Sequence, residues 1–333
     1  MSALAQLTPQ LLDATAPPER RGITRDAVRM LVTDRQSRTH AHHQFSDLPS
    51  LLRAGDLLVV NDSATVPAAL TAQRASGERV QLHVSTMIDR RIFMVEPRAP
   101  VLCGEELTLP HDGSVVMIAP VEPERPRLWY GWFQLPKPMH EYLASAGEPI
   151  RYGYVKERFP LTDYLTIFAR EPGSSEMPSA GRPFTRRVLR ALRERGIQRT
   201  AITLHCGVAS FETPELPAAE RFIVRSDAAD AINLARRDGR RVIATGTTVV
   251  RALETAVLDG RIVAASGWTD LVIGAEHRIR AVDTLLSGFH QEGATHRWML
   301  RAFASNSLLS EAYSEAASHR YYQHEFGDVH LIL

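Results

Sequence analysis

Apolar and polar positions follow different rhythms in different parts of the chain. Between Val66 and Pro138 they alternate in short runs, RVQLHVS, RIFMVE, EELTLP, SVVMIAP and RLWYGWFQL, separated by turns rich in Gly, Pro and Asp. Alternation with period two buries one face of each segment, and several short strands at close spacing predict a small antiparallel barrel or sandwich. No helical period occurs in that stretch. Ahead of it come MLVTDR, the polar THAHHQFSDLPSLLRAGD, which reads as turn-rich, and LLVVND, which reads as a buried strand ending at Asn61 and Asp62.

After Glu148 helical and extended patterns take turns. Thr185 is placed to cap RRVLRALRER, whose Val188, Leu189 and Leu192 share one face and whose end is marked by Gly196. TAITLHCGV reads as a strand, Asp227 as the cap of AADAINLARRD, RRVIAT as a strand, and GTTVVRALETAVLDG as a helix ended by Gly260. The tail adds TDLVI, a helical SLLSEAYSEAASHRYY and a last strand, VHLIL. This order predicts an α/β fold, with a discontinuous α/β domain over residues 1–65 and 148–333 and a small antiparallel β-barrel domain inserted over 66–147.

Composition excludes whole classes of function. Of the 333 residues, 44% are hydrophobic and 23% charged, which is ordinary for a globular protein and too apolar for a disordered one. The 39 Lys and Arg against 38 Asp and Glu leave a net charge of +1, so any contact with RNA has to come from a local patch. Cys103 and Cys206 alone support neither a disulfide framework nor a zinc site, and the absence of a signal-like start or a long apolar run leads to the expectation of a cytoplasmic protein.

Four segments could carry chemistry. In ATGTTVVRALE a strand ends at Thr245 and Gly246, and a helix opens with Thr247 and Thr248. Its first N–H groups suit a carboxylate or phosphate, although Thr247 also reads simply as a cap; Arg251 and Glu254 follow on nearly one face. In EMPSAGRPFT the small Ser179, Ala180 and Gly181 would let a flat ring lie against the backbone. His205 ends an apolar strand in TLHCGVASFE, where strand alternation sends Cys206 to the opposite face and argues against a thiol–imidazole pair; His290 and Asp283 are further acid–base candidates. His40 and His42 share a strand face in THAHHQF, a geometry open to a metal pair, but no third spaced ligand accompanies them and a solvated turn containing His43 is the simpler reading. Neither G-x-G-x-x-G nor G-x-x-x-x-G-K-[ST] occurs, so dinucleotide and P-loop chemistry lack their fingerprints.

Taken together, RMLVTDR, FSDLPSLLRAGDLLVVNDSATVPAAL, YLTIFAREPGSSEMPSAGRPFT, TLHCGVASF, AINLARRDGRRVIATGTTVVRALE, TDLVI, RAVDTLLSGFH and YYQHEFGDVHLIL resemble, in order and over essentially the whole chain, the signature blocks of the QueA family, S-adenosylmethionine:tRNA ribosyltransferase-isomerase. The resemblance implies an α/β domain interrupted by a β-barrel. It also implies transfer and isomerisation of the ribosyl part of S-adenosylmethionine onto the aminomethyl group of a 7-deazaguanine in tRNA, with loss of adenine and methionine. S-adenosyl-L-methionine is then a co-substrate and no metal is needed, because the sulfonium itself acidifies the neighbouring C5′ hydrogens. On this basis Ser179, Ala180, Gly181, Thr245, Gly246, Thr247, Thr248 and Arg251 are expected around the donor, and Asp62, His205, Glu220, Asp283 and His290 as acid–base or ribose-hydroxyl groups.

The signature blocks also show departures. Arg182 and Pro183 replace Leu-His ahead of Phe184 and Thr185, and Pro217, Ala218 and Ala219 replace His-Met-His ahead of Glu220 and Arg221. Gly207, Val208, Ala209, Ser210 and Phe211 stand for Gly-Leu-Gly-Thr-Phe, and Ser287, Gly288, Phe289 and His290 for Thr-Asn-Phe-His. The donor segment ATGTT and Arg251 are kept. The expected partner is therefore tRNA, with two alternatives open: a relative that uses or cleaves S-adenosylmethionine with a small-molecule acceptor, and a non-catalytic RNA-binding relative. Neither DNA nor a membrane is expected as partner.

Overall fold

The computed structural model describes residues 10–208, 216, 218–291 and 294–333. In chain order, β1 (Arg29–Asp34) and β2 (Thr39–Gln44) lead through a short helix α1 (Leu48–Leu51) to β3 (Leu57–Asn61). Six strands then follow: β4 (Ala69–Gln73), β5 (Arg79–Met87), β6 (Ile92–Pro97), β7 (Glu106–Leu109), β8 (Gly113–Pro120) and β9 (Trp129–Gln134). They close into an antiparallel barrel in the order β8-β9-β6-β5-β4-β7. Each of the five alternating runs is a strand of it, and Ala69–Gln73 is the sixth. Inward residues such as Leu70, Leu82, Val95, Leu107, Val115 and Phe133 make a separate core, so the barrel has no open sheet edge.

Helix α2 (Met139–Ala146) leaves the barrel. The chain continues through α3 (Arg186–Glu194), β10 (Gln198–Leu204), β11 (Glu220–Val224), α4 (Ser226–Arg237), β12 (Val242–Thr245), α5 (Thr247–Thr255), β13 (Ala265–Thr269), β14 (Thr284–Gly288), α6 (Thr295–Leu300), α7 (Asn306–Ser318) and β15 (Val329–Ile332). Nine strands from both ends of the chain form one sheet, β13-β11-β10-β3-β12-β14-β15-β1-β2. Its centre, β10-β3-β12-β14, is parallel.

Alternation within β3 shows why LLVV must lie at that centre. Leu57 and Val59 join the core beneath α4, α5 and α7, while Leu58 and Val60 join a second core beneath α3 and α1. A strand apolar on both faces is stable only between two covering layers.

Several expectations change in detail. THAHHQ is not a turn but the edge strand β2, paired with β1 from Thr39 to Gln44, because its backbone completes a ladder that the exposed side chains do not reveal. Asp227 is not the cap of α4: Arg225 holds that position and Asp227 lies in the first turn. Helix α5 ends at Thr255, and Gly260 instead turns a short hairpin between Val257–Leu258 and Arg261–Ile262. TDLVI forms a strand only as far as Thr269. Thr185 does cap α3, accepting the Val188 N–H at 3.2 Å. Among the described residues no helix is long and apolar enough to cross a membrane.

One backbone approach brings together the two ends of the barrel insertion. A Cβ at Gly147, which ends α2, would lie 1.9 Å from the Pro67 carbonyl oxygen, where the chain enters the barrel. Gly147→Ala is expected to lower stability by about 1–3 kcal/mol, the usual range for forced overpacking, read as a lower midpoint in urea. An unchanged midpoint would show that this approach is not tight.

Candidate active site

The C-terminal ends of the parallel strands carry the loops most suited to binding. After β12, Gly246 adopts φ +94°, a region that side chains with a Cβ rarely enter, and α5 begins at the next residue. A Cβ at 246 would also lie 3.3 Å from Ala180, so the backbone conformation favours glycine and the 179–181 turn packs closely against it. No side chain caps α5, which leaves its first N–H groups and the positive end of its dipole beside Gly246, Thr247 and Thr248. These residues, with Ser179 and Ala180, line a cavity of about 130 Å³.

The same cavity collects groups from distant segments. Arg251, one turn into α5 and only 7% exposed, donates to the Thr269 carbonyl at 3.0 Å and the Leu271 carbonyl at 3.1 Å, and pairs with Glu220. The other Glu220 oxygen accepts the Gly207 N–H at 2.8 Å. His290 lies against Ser287, with Nε2 3.1 Å from Oγ, and stacks on His296 at 4.9 Å between ring centroids. Burial holds both imidazoles below their ordinary value, His296 at about 4, so both are neutral at physiological pH. Glu325 completes the wall beside Tyr154, which donates to it, and burial pushes its carboxyl up to about 7. Glu176, which accepts from Tyr152, and Tyr164 also line it.

A second cavity of about 880 Å³ opens between barrel and sheet, and Ser175 and Cys206 line both. Its wall includes Phe93 and Phe133 from the barrel, the cations Arg90, Arg91, Lys137 and Arg221, and His205. His205 Nδ1 lies 2.8 Å from Ser63 Oγ, which meets Ser174 Oγ at 2.6 Å. Burial, and then the charge of Arg221, keep the His205 imidazole below its ordinary value. Burial also pushes the Cys206 thiol up, away from nucleophilic use.

The remaining candidates lie elsewhere. Gly181 packs on Phe168 and Thr166 behind the cavity wall, and Thr245 is buried without lining the cavity. Asp62 is buried in a polar groove on the α3 side of the sheet, paired with Arg225 and accepting from Thr203 at 2.6 Å. Asp283 lies at the start of β14, where it accepts the Val242 N–H at 2.8 Å, four to five residues from the cavity end of that strand. Glu254 turns away to accept the Arg280 and Ala281 N–H groups, both at 2.7 Å. Arg182 is a buried strut that binds the Asp163 carbonyl and Glu19, each at 2.9 Å. Ala209, Ser210, Phe211 and Pro217 lie outside the described residues. Sequence reasoning missed Glu176, His296 and Glu325. The last two come from the tail, where nothing in their spacing marks them as neighbours of the α5 turn.

On the opposite edge, His42 of β2 bonds Tyr321 at 2.9 Å and Glu315 at 3.0 Å. With His319 these make the one group of three metal-capable side chains among the described residues, their ligand atoms within 4.8 Å of one another.

Comparison with known proteins converges on one family. A model of the queuosine biosynthesis protein family matches residues 6–332. The chain belongs to that family. It is 38% identical to an S-adenosylmethionine:tRNA ribosyltransferase-isomerase of Moorella thermoacetica, over 93% of this chain and 94% of the relative. Identity to the protein of that name from Thermus thermophilus is 33%, over 96% and 98%. The crystal structure of an S-adenosylmethionine tRNA ribosyltransferase from Thermotoga maritima aligns with a TM-score of 0.55 at 29% identity, over 97% of this chain and 96% of that one. The family's α/β fold with its inserted β-barrel is therefore present here.

The buried histidines give the family fold an acid sensitivity in this chain. His330 on β15 is fully buried, bonded to Thr33 at 2.7 Å and stacked on Phe289, and burial holds it at about 3. Unfolded, it takes up a proton near pH 6.5, so the unfolded state binds more protons below that pH. Its contribution is complete above about pH 6.5 and is lost as pH falls toward about 3. The unfolding free energy of the protein minus that of His330→Gln is expected to shrink by about 1.4 kcal/mol per pH unit below 6.5. Urea unfolding at pH 7 and pH 5 reads this directly, and a pH-independent difference would refute it.

Proposed function

We propose that this protein transfers and isomerises the ribosyl part of S-adenosylmethionine onto the aminomethyl group of a 7-deazaguanine in tRNA, releasing adenine and methionine. The observation that carries the reading is the uncapped start of α5 at Gly246, set against the Glu220–Arg251 pair within one small cavity, in a chain of this family. The donor's carboxylate suits the free N–H groups of the first α5 turn. Its cationic sulfonium suits a wall that holds Glu176, Glu220 and Glu325. Tyr152, Tyr164, Ser179 and Ala180 offer flat and small surfaces for adenine.

The roles of the carboxylates follow from their surroundings. Arg251 and the Gly207 N–H each hold one Glu220 oxygen, which fixes this carboxylate in place as a counter-charge near the sulfonium. Glu325, at about 7, is matched to taking a proton from C5′ near neutral pH, which starts the rearrangement. His290 and His296 are too weakly basic for that step and serve as neutral hydrogen-bonding partners of the ribose. The acceptor enters through the larger cavity, where neutral His205 can accept the proton that the attacking amine sheds as its bond to the ribosyl carbon forms.

This assignment predicts a pH profile. With tRNA carrying the 7-aminomethyl-7-deazaguanine, kcat/KM for S-adenosylmethionine rises through about pH 7, and Glu325→Gln removes that rise and lowers the rate by about 10²-fold or more, the usual size of a general-base contribution. A variant with the wild-type profile would take Glu325 out of the proton transfer. Adenine and methionine released at full rate without RNA would favour the small-molecule alternative.

A further inference from the structure

Helix α3 runs against the electrostatic rules that stabilise helices. Between residues 186 and 199 the chain carries six arginines and one glutamate, although its net charge is only +1. Arg186 and Arg187 occupy the first turn, which has no acidic residue, so they oppose the positive end of the helix dipole. Arg186 and Arg190 are four apart and Arg190 and Arg193 three apart, spacings at which like charges repel along one stripe. Of the six, Arg187 alone makes an ion pair, with Asp26 at 2.9 Å; among the described residues the other five make none. All six are exposed.

The excess continues off the helix. Arg199 and Arg170 line a polar groove of about 250 Å³, and Arg170 also forms no ion pair among the described residues. The guanidinium of Arg199 lies over Phe168, and its proton is disfavoured by burial and then by the charge of Arg170. Arg170 and Arg199 thus share a groove with Asp227 and the Asp62–Arg225 pair, and among the described residues neither arginine forms an ion pair there. A local arrangement that works against stability with no compensating partner among the described residues points to a partner outside it.

We propose that the outer stripe of α3, with Arg199 and Arg170, is the surface on which the phosphodiester backbone of tRNA docks. This rests on the tRNA reading above. Position supports it at both ends. Helix α3 starts six residues after Ala180, which lines the donor cavity. In the groove, the Arg170 N–H bonds the Asp62 carbonyl, and the next residue, Ser63, meets His205 at the wall of the acceptor cavity. A strand of RNA laid along α3 and the groove thus leads toward both cavities, and its phosphates repeat negative charge along that length.

The double variant Arg190→Glu/Arg193→Glu tests it, because both side chains are exposed and neither lines a cavity. The full-length protein and the variant are compared by steady-state kinetics with tRNA and by tRNA binding at increasing KCl. The expected result is a tRNA KM raised about tenfold or more, with kcat at saturating tRNA and S-adenosylmethionine KM unchanged and the thermal midpoint not lowered. The slope of log affinity against log salt is expected to fall by about 1.5, for two phosphate contacts at about 0.7 to 0.9 each. An unchanged KM and salt slope, with the wild-type protein active on tRNA, would overturn the docking surface and leave the proposed function standing. Loss of binding to anionic lipid vesicles with tRNA kinetics intact would assign the stripe to a membrane and overturn it as well. Wild-type protein that neither binds nor modifies tRNA would overturn both.

Discussion

The nearly buried ion pair between Glu220 and Arg251 holds the site together. Arg251 ties α5 to the carbonyls of Thr269 and Leu271, and Glu220 carries the link from β11 to the Gly207 N–H after β10. Three elements are thereby fixed around the free end of α5. Such a pair adds little net stability when intact, but removing one partner strands a charge out of water at a cost of about 3–5 kcal/mol. The arrangement thus specifies geometry more than it strengthens the fold.

That geometry separates two jobs. The small cavity gathers carboxyl and neutral groups, with Arg251 paired to Glu220, around the place where a sulfonium would sit, and the larger one gathers cations and aromatic rings on the barrel side. The wall between them is made by Ser175 and Cys206 at the ends of short strand segments. A parallel sheet presents its loops at one end, and the barrel provides the facing surface that a single α/β layer would lack. The arginines of α3 extend the cationic side away from the cavities, where an anion much larger than the donor can meet them.

The sequence made the barrel and the central strands legible because their apolar positions repeat with the period of the structure: RVQLHVS and LLVV could be read locally. Edge strand β2 was not legible, since its polar THAHHQ follows no burial pattern and is ordered by its ladder with β1. Of the candidate site residues, those on the α5 turn and at Glu220 and His290 converge on one cavity, while Asp62 and Asp283 bond to the sheet elsewhere. Glu325 and His296 could not be anticipated. Their roles depend on burial and on contacts across the chain, which set a carboxyl to about 7 and an imidazole to about 4 without any local motif.

The central claim is that the sugar of the donor reacts and its methyl group does not. Turnover with two preparations of S-adenosylmethionine, one isotopically labelled in the ribose carbons and one in the methyl, followed by mass analysis of the recovered tRNA, tests it most directly. The account predicts the ribose label in the tRNA and the methyl label wholly in released methionine; methyl label in the tRNA, or ribose label remaining with adenine, would contradict it.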